Sequence, residues 1–276
     1  MDAALALILS APSIAVGAIW LVALVRLFRM GREVPDLAAG VPLADGTPIG
    51  ESVCVVVPAH NEANSVGGVV ASLRAQRGVA LRFVLALDRC TDETAEQARR
   101  AIDGDDRFEI IEIDHCPEGW AGKVHALWSA VEASESARRS DLLLFLDADV
   151  TMAPDCVRAA AALRRARDLD MVKLLPTLRH RHWFERLVQP ACVIELSYEF
   201  PLIRANQRRS RRAFVNGQFV LFRREAYEQL GGHRALAGEI MEDFGLARLT
   251  AQHGVGVGVF PAGAMLVAGM HDSWSS

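Results

Sequence analysis

Leu142-Leu-Leu-Phe-Leu146, running straight into Asp147-Ala148-Asp149, is the stretch that decides the fold. Consecutive apolar residues without polar alternation predict a strand buried on both faces, as in a parallel sheet covered by helices. Two carboxylates at the exit of such a strand stand where ligands bind in open α/β sheets, beyond the carboxyl ends. Working back toward the amino terminus, Val53-Cys-Val-Val-Val57, closed by Pro58, has the same character, and Leu81 to Leu87 and Phe108 to Ile113 supply two more strands. Helical stretches alternate with them. Asn64 caps a helix reaching Gln76, Thr91 begins another with Thr91 or Asp92 as its cap, Gly122 to Ala137 forms a third, and Pro154 suits the first turn of a fourth. This order predicts the α/β class, with a doubly wound, mainly parallel sheet.

Bulk composition narrows the function. Of 276 residues, 51% are hydrophobic and the formal net charge is only -4. Disorder is excluded, and the balanced charge gives no reason to expect a nucleic acid partner. The cysteines, Cys54, Cys90, Cys116, Cys156 and Cys192, are scattered and form no C-x-x-C pair. They suit neither a disulfide framework nor a zinc knuckle, and point to a reducing compartment with thiols acting as small buried hydrophobes.

Ala3 to Val25 contains no charged residue. As a helix it spans roughly 34 Å, enough for a hydrocarbon core of about 30 Å. Pro12 and Gly17 are tolerated in a membrane helix, and Trp20 suits an interface. A cleaved signal peptide would begin with basic residues, whereas this chain begins Met1-Asp2. Arg26, Arg29 and Arg32 follow the span, which predicts a single-pass anchor in the cell (inner) membrane with the rest of the chain cytoplasmic. Residues 1–30 are therefore expected to be the anchor, 31–51 a linker rich in Pro, Gly, Ala and Asp, and 52–276 the folded domain.

The polar residues at the strand exits carry the chemistry. Asp147 and Asp149 offer the hard oxygen ligands that suit Mg2+ or Mn2+ with open positions for phosphates, although an isolated Asp-x-Asp is as often a capping pair. Pro58, His60 and Glu62 follow the first strand and Asp88 ends the second. Lys123 opens a helix after two glycines, where free N–H groups and an ammonium form an anion site. Glu242 and Asp243 begin a helix whose Ile240, Phe244, Ala247 and Ala251 are expected to share one apolar face, and a carboxylate there is suited to remove a proton. A Gly-rich dinucleotide or Walker loop follows none of these strands. That argues against an oxidoreductase or a sugar nucleotidyltransferase.

Taken in order, Val57-Pro-Ala-His-Asn-Glu62, the segment around Asp88, Gly122-Lys123 with Ala126-Leu127, Asp147-Ala-Asp149, Asn216 to Tyr227 with Leu230-Gly-Gly232, and Met241-Glu-Asp-Phe-Gly-Leu246 resemble the family-2 glycosyltransferases of GT-A fold. The likeness spans roughly residues 52 to 254. The anchor and Gly119-Trp-Ala-Gly-Lys123 look most like membrane-associated members linked to hopanoid, carotenoid or ceramide-type lipid glycosylation. The resemblance implies an inverting, metal-dependent hexosyltransferase. It would move a sugar from a nucleotide-diphosphate donor, UDP by family habit, to an acceptor hydroxyl, with a lipid as the expected acceptor. Residues 52–150 would form the nucleotide-sugar half and 151–276 the acceptor and membrane-facing half.

The same resemblance implies the roles. Pro58, His60 and Glu62 would border the nucleotide base, Asp88 the uracil or ribose, Lys123 the diphosphate and Asp147 the ribose side. Asp149 would bind the Mg2+ or Mn2+ ion. Asp243 would be the catalytic base supported by Glu242, and Gly217 and Gln218 would line the acceptor side. Two departures stand out. Leu87-Asp88 keeps one of the usual paired acids. The chain ends His271-Asp-Ser-Trp-Ser-Ser276, with Trp274 but without the Arg of the Gln/Arg-x-x-Arg-Trp motif of polymerising relatives. That argues against processive synthesis, and it also fits a truncated form of a longer enzyme. An inactive membrane-tethered scaffold, the non-enzymatic alternative, would be expected to lack Asp149 or Asp243, and both are present.

Between His182 and Gln207, Trp183, Leu187, Ala191, Ile194 and Tyr198 recur at near-helical spacing around Pro190, and Arg204, Arg208, Arg209, Arg211 and Arg212 follow. Such a stretch reads equally as an interfacial helix over anionic lipid or as a core helix with a solvated basic loop.

Overall fold

The structure is a computed structural model that describes residues 3–45, 49–178, 188, 202–206 and 217–269. The stretch from 182 to 207 with its following arginines therefore lies almost wholly outside the described residues, as do Cys192, Asn216 and the terminal 270–276.

Strands β1 (Ser52–Ala59), β2 (Ala80–Asp88), β3 (Phe108–Ile113), β4 (Leu142–Leu146), β6 (Met171–Leu175), β8 (Phe219–Arg223) and β9 (Val257–Pro261) form one sheet in the order β3-β2-β1-β4-β8-β6-β9. Every pairing is parallel except those of β8, which runs antiparallel to β4 and to β6. A smaller sheet joins β5 (Val150–Met152), β10 (Leu266–Ala268) and β7 (Thr177–Leu178) in the order β5-β10-β7. The helices are α1 (Ala3–Glu33), α2 (Gly40–Asp45), α3 (Val66–Arg74), α4 (Thr94–Ile102), α5 (Gly122–Ala133), α6 (Glu135–Arg139), α7 (Cys156–Ala166), α8 (Leu202–Ala205), α9 (Arg224–Gln229) and α10 (Glu242–His253).

The unbroken apolar strands are explained by burial on both faces. In β1, Val53, Val55 and Val57 face a core shared with α3 and α7, while Cys54 and Val56 face a second core shared with α5 and α10. With a side-chain period of two, each residue of such a strand meets one core or the other, so alternation with polar residues is lost. The thiols behave as expected where they are buried: burial, with a smaller push from Glu109, raises the Cys54 thiol to about 12, and burial raises Cys156 as well. Cys54, Cys90, Cys116 and Cys156 are free thiols.

The stretch expected to be a linker is instead built into the domain over much of its length. Leu37–Ala39 forms a 3-10 turn, α2 follows, and Leu37 is buried in the core with Val34 and Ala44 also out of water. Glycine makes this contact possible, since a Cβ at Gly40 would lie 2.3 Å from the Ala159 carbonyl oxygen of α7. The expected helix from Gly122 to Ala137 is two helices, because Ser134 leaves the helical conformation and accepts the Ala137 N–H as the cap of α6. Along α1, Ile14, Ile19, Leu21, Leu24 and Phe28 are exposed, and it is the one helix among the described residues long and apolar enough to cross a membrane.

Replacing Gly40 by Val should force α2 off α7 and lower stability by roughly 1–3 kcal/mol. Urea unfolding should show an earlier midpoint with little change in slope.

Candidate active site

The carboxylate pair sits on a turn held from three directions. Val150 N–H donates to the Asp147 carbonyl at 3.3 Å, and Asp147 N–H donates to the Gln218 carbonyl at 3.2 Å, just before β8. Gly269 N–H donates to the Asp149 carbonyl at 2.9 Å, just after β10. Gln218, expected on the acceptor side, thus contributes a backbone carbonyl that anchors Asp147.

At the ends of β1 and β2 a compact polar web forms. His60 donates from Nδ1 to the Asp88 carbonyl at 2.6 Å. Asn61 takes a left-handed backbone (φ 55), which its short polar side chain tolerates, and its Oδ1 accepts the Thr91 N–H at 2.8 Å. Glu62 N–H donates to Thr94 Oγ1 at 2.7 Å, and Ser65 donates to the Glu62 carboxylate. Asp92 accepts N–H bonds from Thr94, the first residue of α4, and from Ala63, but the cap position of the helix is Glu93 rather than the expected Thr91 or Asp92, and its side chain makes no capping bond. Asp88 is only 4% exposed. Both its oxygens are gripped by the Arg89 fork, at 2.9 and 2.8 Å, a charge-assisted bidentate pair.

Arg89 is a site residue that the sequence reading did not single out. It holds φ 47, a conformation a non-glycine residue adopts only where its surroundings over-determine it. A Cβ at Gly122 would stand 2.7 Å from Arg89 Nη2, so this glycine clears the guanidinium's place.

Lys123, in the first turn of α5, reaches Asp147 Oδ1 at 2.8 Å and also pairs with Glu242. Burial works against its charge, but the two carboxylates outweigh that and raise its pKa. Around it opens a cleft of about 440 Å³ lined by Pro58, His60, Glu62, Asp88, Lys123, Asp147 and Asp149 together with Arg89 and Gly122. The seven residues assigned to the donor and metal are therefore brought to one place, at the carboxyl ends of β1, β2 and β4. Among the described residues no three His, Cys, Asp or Glu side chains converge as a ready metal cage. A divalent ion of the Mg2+ type needs none, since one or two carboxylates and the substrate's phosphates suffice. The Asp149 carboxylate in this cleft fits such an ion.

Pro58, Lys123 and Asp147 also border an adjoining recess that contains Gly217, Val220, His233, Glu242 and Asp243. A Cβ at Gly217 would lie 2.0 Å from Asp243 Oδ1, so the glycine is what admits this carboxylate. Asp243 Oδ1 is buried without a hydrogen-bond partner. Burial first, then Glu242, raise the Asp243 pKa, while Lys173 and Lys123 oppose the rise. His233 bonds through Nδ1 to the Tyr227 hydroxyl at 2.9 Å, and burial, with Lys123 nearby, pushes its pKa down to about 3. It is a neutral imidazole at any working pH, fixed in place by Tyr227.

The apolar face expected on α10 is corrected. Gly245, Leu246, Ala247 and Thr250 are its buried residues, whereas Ile240 is 88%, Met241 60% and Phe244 46% exposed. The helix enters the domain rotated, so that Asp243 lines the recess and the large apolar side chains beside it in sequence are exposed.

Among proteins of known activity, the chain is similar to the 4,4'-diaponeurosporenoate glycosyltransferases of Staphylococcus aureus strains. It is 26% identical to that of strain bovine RF122 / ET3-1 over 215 residues, 76% of this chain and 54% of the relative. The chain thus spans about half the length of the curated relatives it matches. Among solved structures it resembles the mannosyltransferase PcManGT from Pyrobaculum calidifontis in complex with GDP-Man and Mn2+, with TM-score 0.62, 18% identity, and coverage of 96% of this chain and 70% of that one. It also resembles S. aureus TarS 1-349 in complex with UDP-GlcNAc, with TM-score 0.58, 15% identity, and coverage of 80% and 59%. These likenesses establish a shared GT-A fold. Residues 50–269 match the family described as glycosyltransferase like family 2, and the chain belongs to that family.

Proposed function

We propose that this protein is a membrane-anchored, inverting glycosyltransferase that moves a sugar from a nucleotide-diphosphate donor to the hydroxyl of a lipid acceptor. The observation that carries this is the continuity of the donor cleft with the Asp243 recess through Pro58, Lys123 and Asp147. Donor and base are thus within reach of one sugar. The nucleotide lies over the ends of β1 and β2 against His60, Glu62 and the Asp88–Arg89 pair. Lys123 turns its charge to the diphosphate and Asp147 to the ribose side. Asp149 holds a Mg2+ or Mn2+ ion, which when bound offsets charge on the diphosphate.

The acceptor enters from the side of α10. Its O–H bond breaks as the proton passes to the Asp243 carboxylate, and the new bond forms from oxygen to the anomeric carbon. The carbon–oxygen bond to the diphosphate breaks on the opposite face, inverting the centre and releasing the nucleoside diphosphate. Ile240, Met241 and Phe244 beside Asp243 support an acceptor with an apolar chain, as does the printed name of the S. aureus relatives. The exposed apolar surface of α1 supports anchorage in the cell membrane, and Arg26, Arg29 and Arg32 after the apolar span support a domain on the cytoplasmic side.

Release of nucleoside diphosphate from a panel of sugar donors, with membrane lipid extract and Mn2+ or Mg2+, tests the whole scheme. Asp243→Asn should lower kcat by roughly 10²–10⁴ with donor binding retained. Asp149→Ala or a chelator should abolish metal-stimulated turnover. Full activity in both variants would overturn the assignment. Gly217→Ala must push the Asp243 carboxylate aside, and a displacement on the order of 1 Å should cost about 10²-fold in kcat. Paired Ile240→Ser and Phe244→Ser changes should raise KM for a lipid acceptor and leave donor KM unchanged.

A further inference from the structure

His233 stands in a 3-10 turn, Gly232–Leu236, and is only 4% exposed, yet it lines the recess that holds Asp243. Which ring nitrogen carries its proton follows from Tyr227 on α9. The Tyr227 hydroxyl accepts the backbone N–H of His233 at 3.1 Å and lies 2.9 Å from its Nδ1. A hydroxyl has one proton to give, and this one has no third partner among the described residues. Tyr227 therefore donates to Nδ1, and the hydrogen of the neutral ring sits on Nε2. The ring is held in that orientation. It packs edge-on against Phe145 with centroids 4.5 Å apart. Gly232, at φ 57, admits the tyrosine, since a Cβ there would lie 2.7 Å from Tyr227 Cζ.

With Nδ1 turned to Tyr227, Nε2–H is the edge left to the recess, and it has no hydrogen-bond partner among the described residues. The same recess contains a complementary group, because Asp243 Oδ1 is buried and also unpartnered. The recess holds about 10 Å³, the space of about one water-sized group, between walls that include Leu127, Phe145, Leu146, Val220 and Leu246. A group that both accepts and donates, and is no larger than one heavy atom with its hydrogen, fits this place.

We infer that the recess is a subsite for one hydroxyl of the transferred sugar, which accepts the hydrogen of His233 Nε2 and donates its own to Asp243 Oδ1. This rests on the donor assignment proposed above. The recess joins the donor cleft at Pro58, Lys123 and Asp147, so what enters it comes from the sugar beyond the diphosphate. Asp243 Oδ2 is left to take the acceptor's proton. The class of donor follows. At that ring position a hydroxyl is admitted, a hydrogen leaves a buried donor and acceptor unsatisfied, and an acetamido group is too large.

The test uses the full chain in detergent micelles with nitrogen-15 in its histidines, and His233→Phe assigns the signal. Without ligand, His233 should carry its proton on Nε2 and none on Nδ1. The signal should shift when a sugar-nucleotide donor is added and stay in place with the bare nucleoside diphosphate. Analogues of a donor that the wild type turns over, each deoxygenated at one position, are then compared. One should lose about 10- to 100-fold in kcat/KM, and His233→Phe should cut that penalty about tenfold. His233→Gln, which keeps a side-chain N–H, should restore part of the discrimination. If His233→Phe does not fold, Tyr227→Phe, which releases the ring, takes its place. A proton on Nδ1, a signal that no donor moves, or penalties unchanged in His233→Phe would overturn the inference. Turnover surviving in Asp243→Asn would sink the base assignment alone, because the His233 signal reports donor binding without turnover.

Discussion

A single ammonium joins the two parts of the site. Lys123 leaves the first turn of α5 and meets a carboxylate from the end of β4 and another from the start of α10. The first belongs to the cleft at the strand exits, the second to the helix that carries Asp243. Without that cation, Asp147, Glu242 and Asp243 would repel one another across a partly desolvated space. The surrounding glycines serve the same arrangement. Gly122 lets α5 begin against the Asp88–Arg89 pair, and Gly217 lets Asp243 press against the chain entering β8.

An incoming diphosphate brings further negative charge to this cluster, and in the proposed scheme it competes with Asp147 and Glu242 for Lys123. Donor binding and the environment of the base are then coupled through one side chain. Helix termini add to the effect. The first turn of α10 carries Glu242 and Asp243 where the helix dipole favours anions, and α5 has no side-chain cap over its first N–H groups.

Much of the architecture around the strand-exit cleft was legible from residue type. Strands β1, β2 and β4 are largely buried on both faces, so their apolar runs stand out, and their exits are marked by polar residues that have no role inside a core, while β3 is a half-buried strand at the sheet edge. The other half was harder. Strands β6, β8 and β9 are as short as β4 but include Lys173, Arg223, and Gly258 with Pro261, so none presents the unbroken apolar run that marks β4. Lys173 shows the difficulty best, since a lysine within a strand normally signals a solvated face, and this one is buried. Arg89 was hidden because its role depends on a left-handed backbone, which no side-chain pattern announces. On α10 the helical period was correct but the rotation was not. A period fixes which residues share a face, whereas the direction that face takes is set by contacts with the rest of the domain.

The reversed direction of β8 has a consequence for how such a protein can diversify. Strand β6 delivers the chain to the substrate edge of the sheet, and β8 starts again from that same edge, with Phe219 opposite Leu146. Both described ends of the connection therefore stand at one edge of the sheet, beside Asp147. Between them, Leu202 and Ala205 are buried in the core and Asn206 meets the Val259 backbone through both atoms of its amide, so the connection is also pinned part-way along. An engineered exchange of this connection would have to keep that foothold, and within that limit could leave the strands of the sheet untouched.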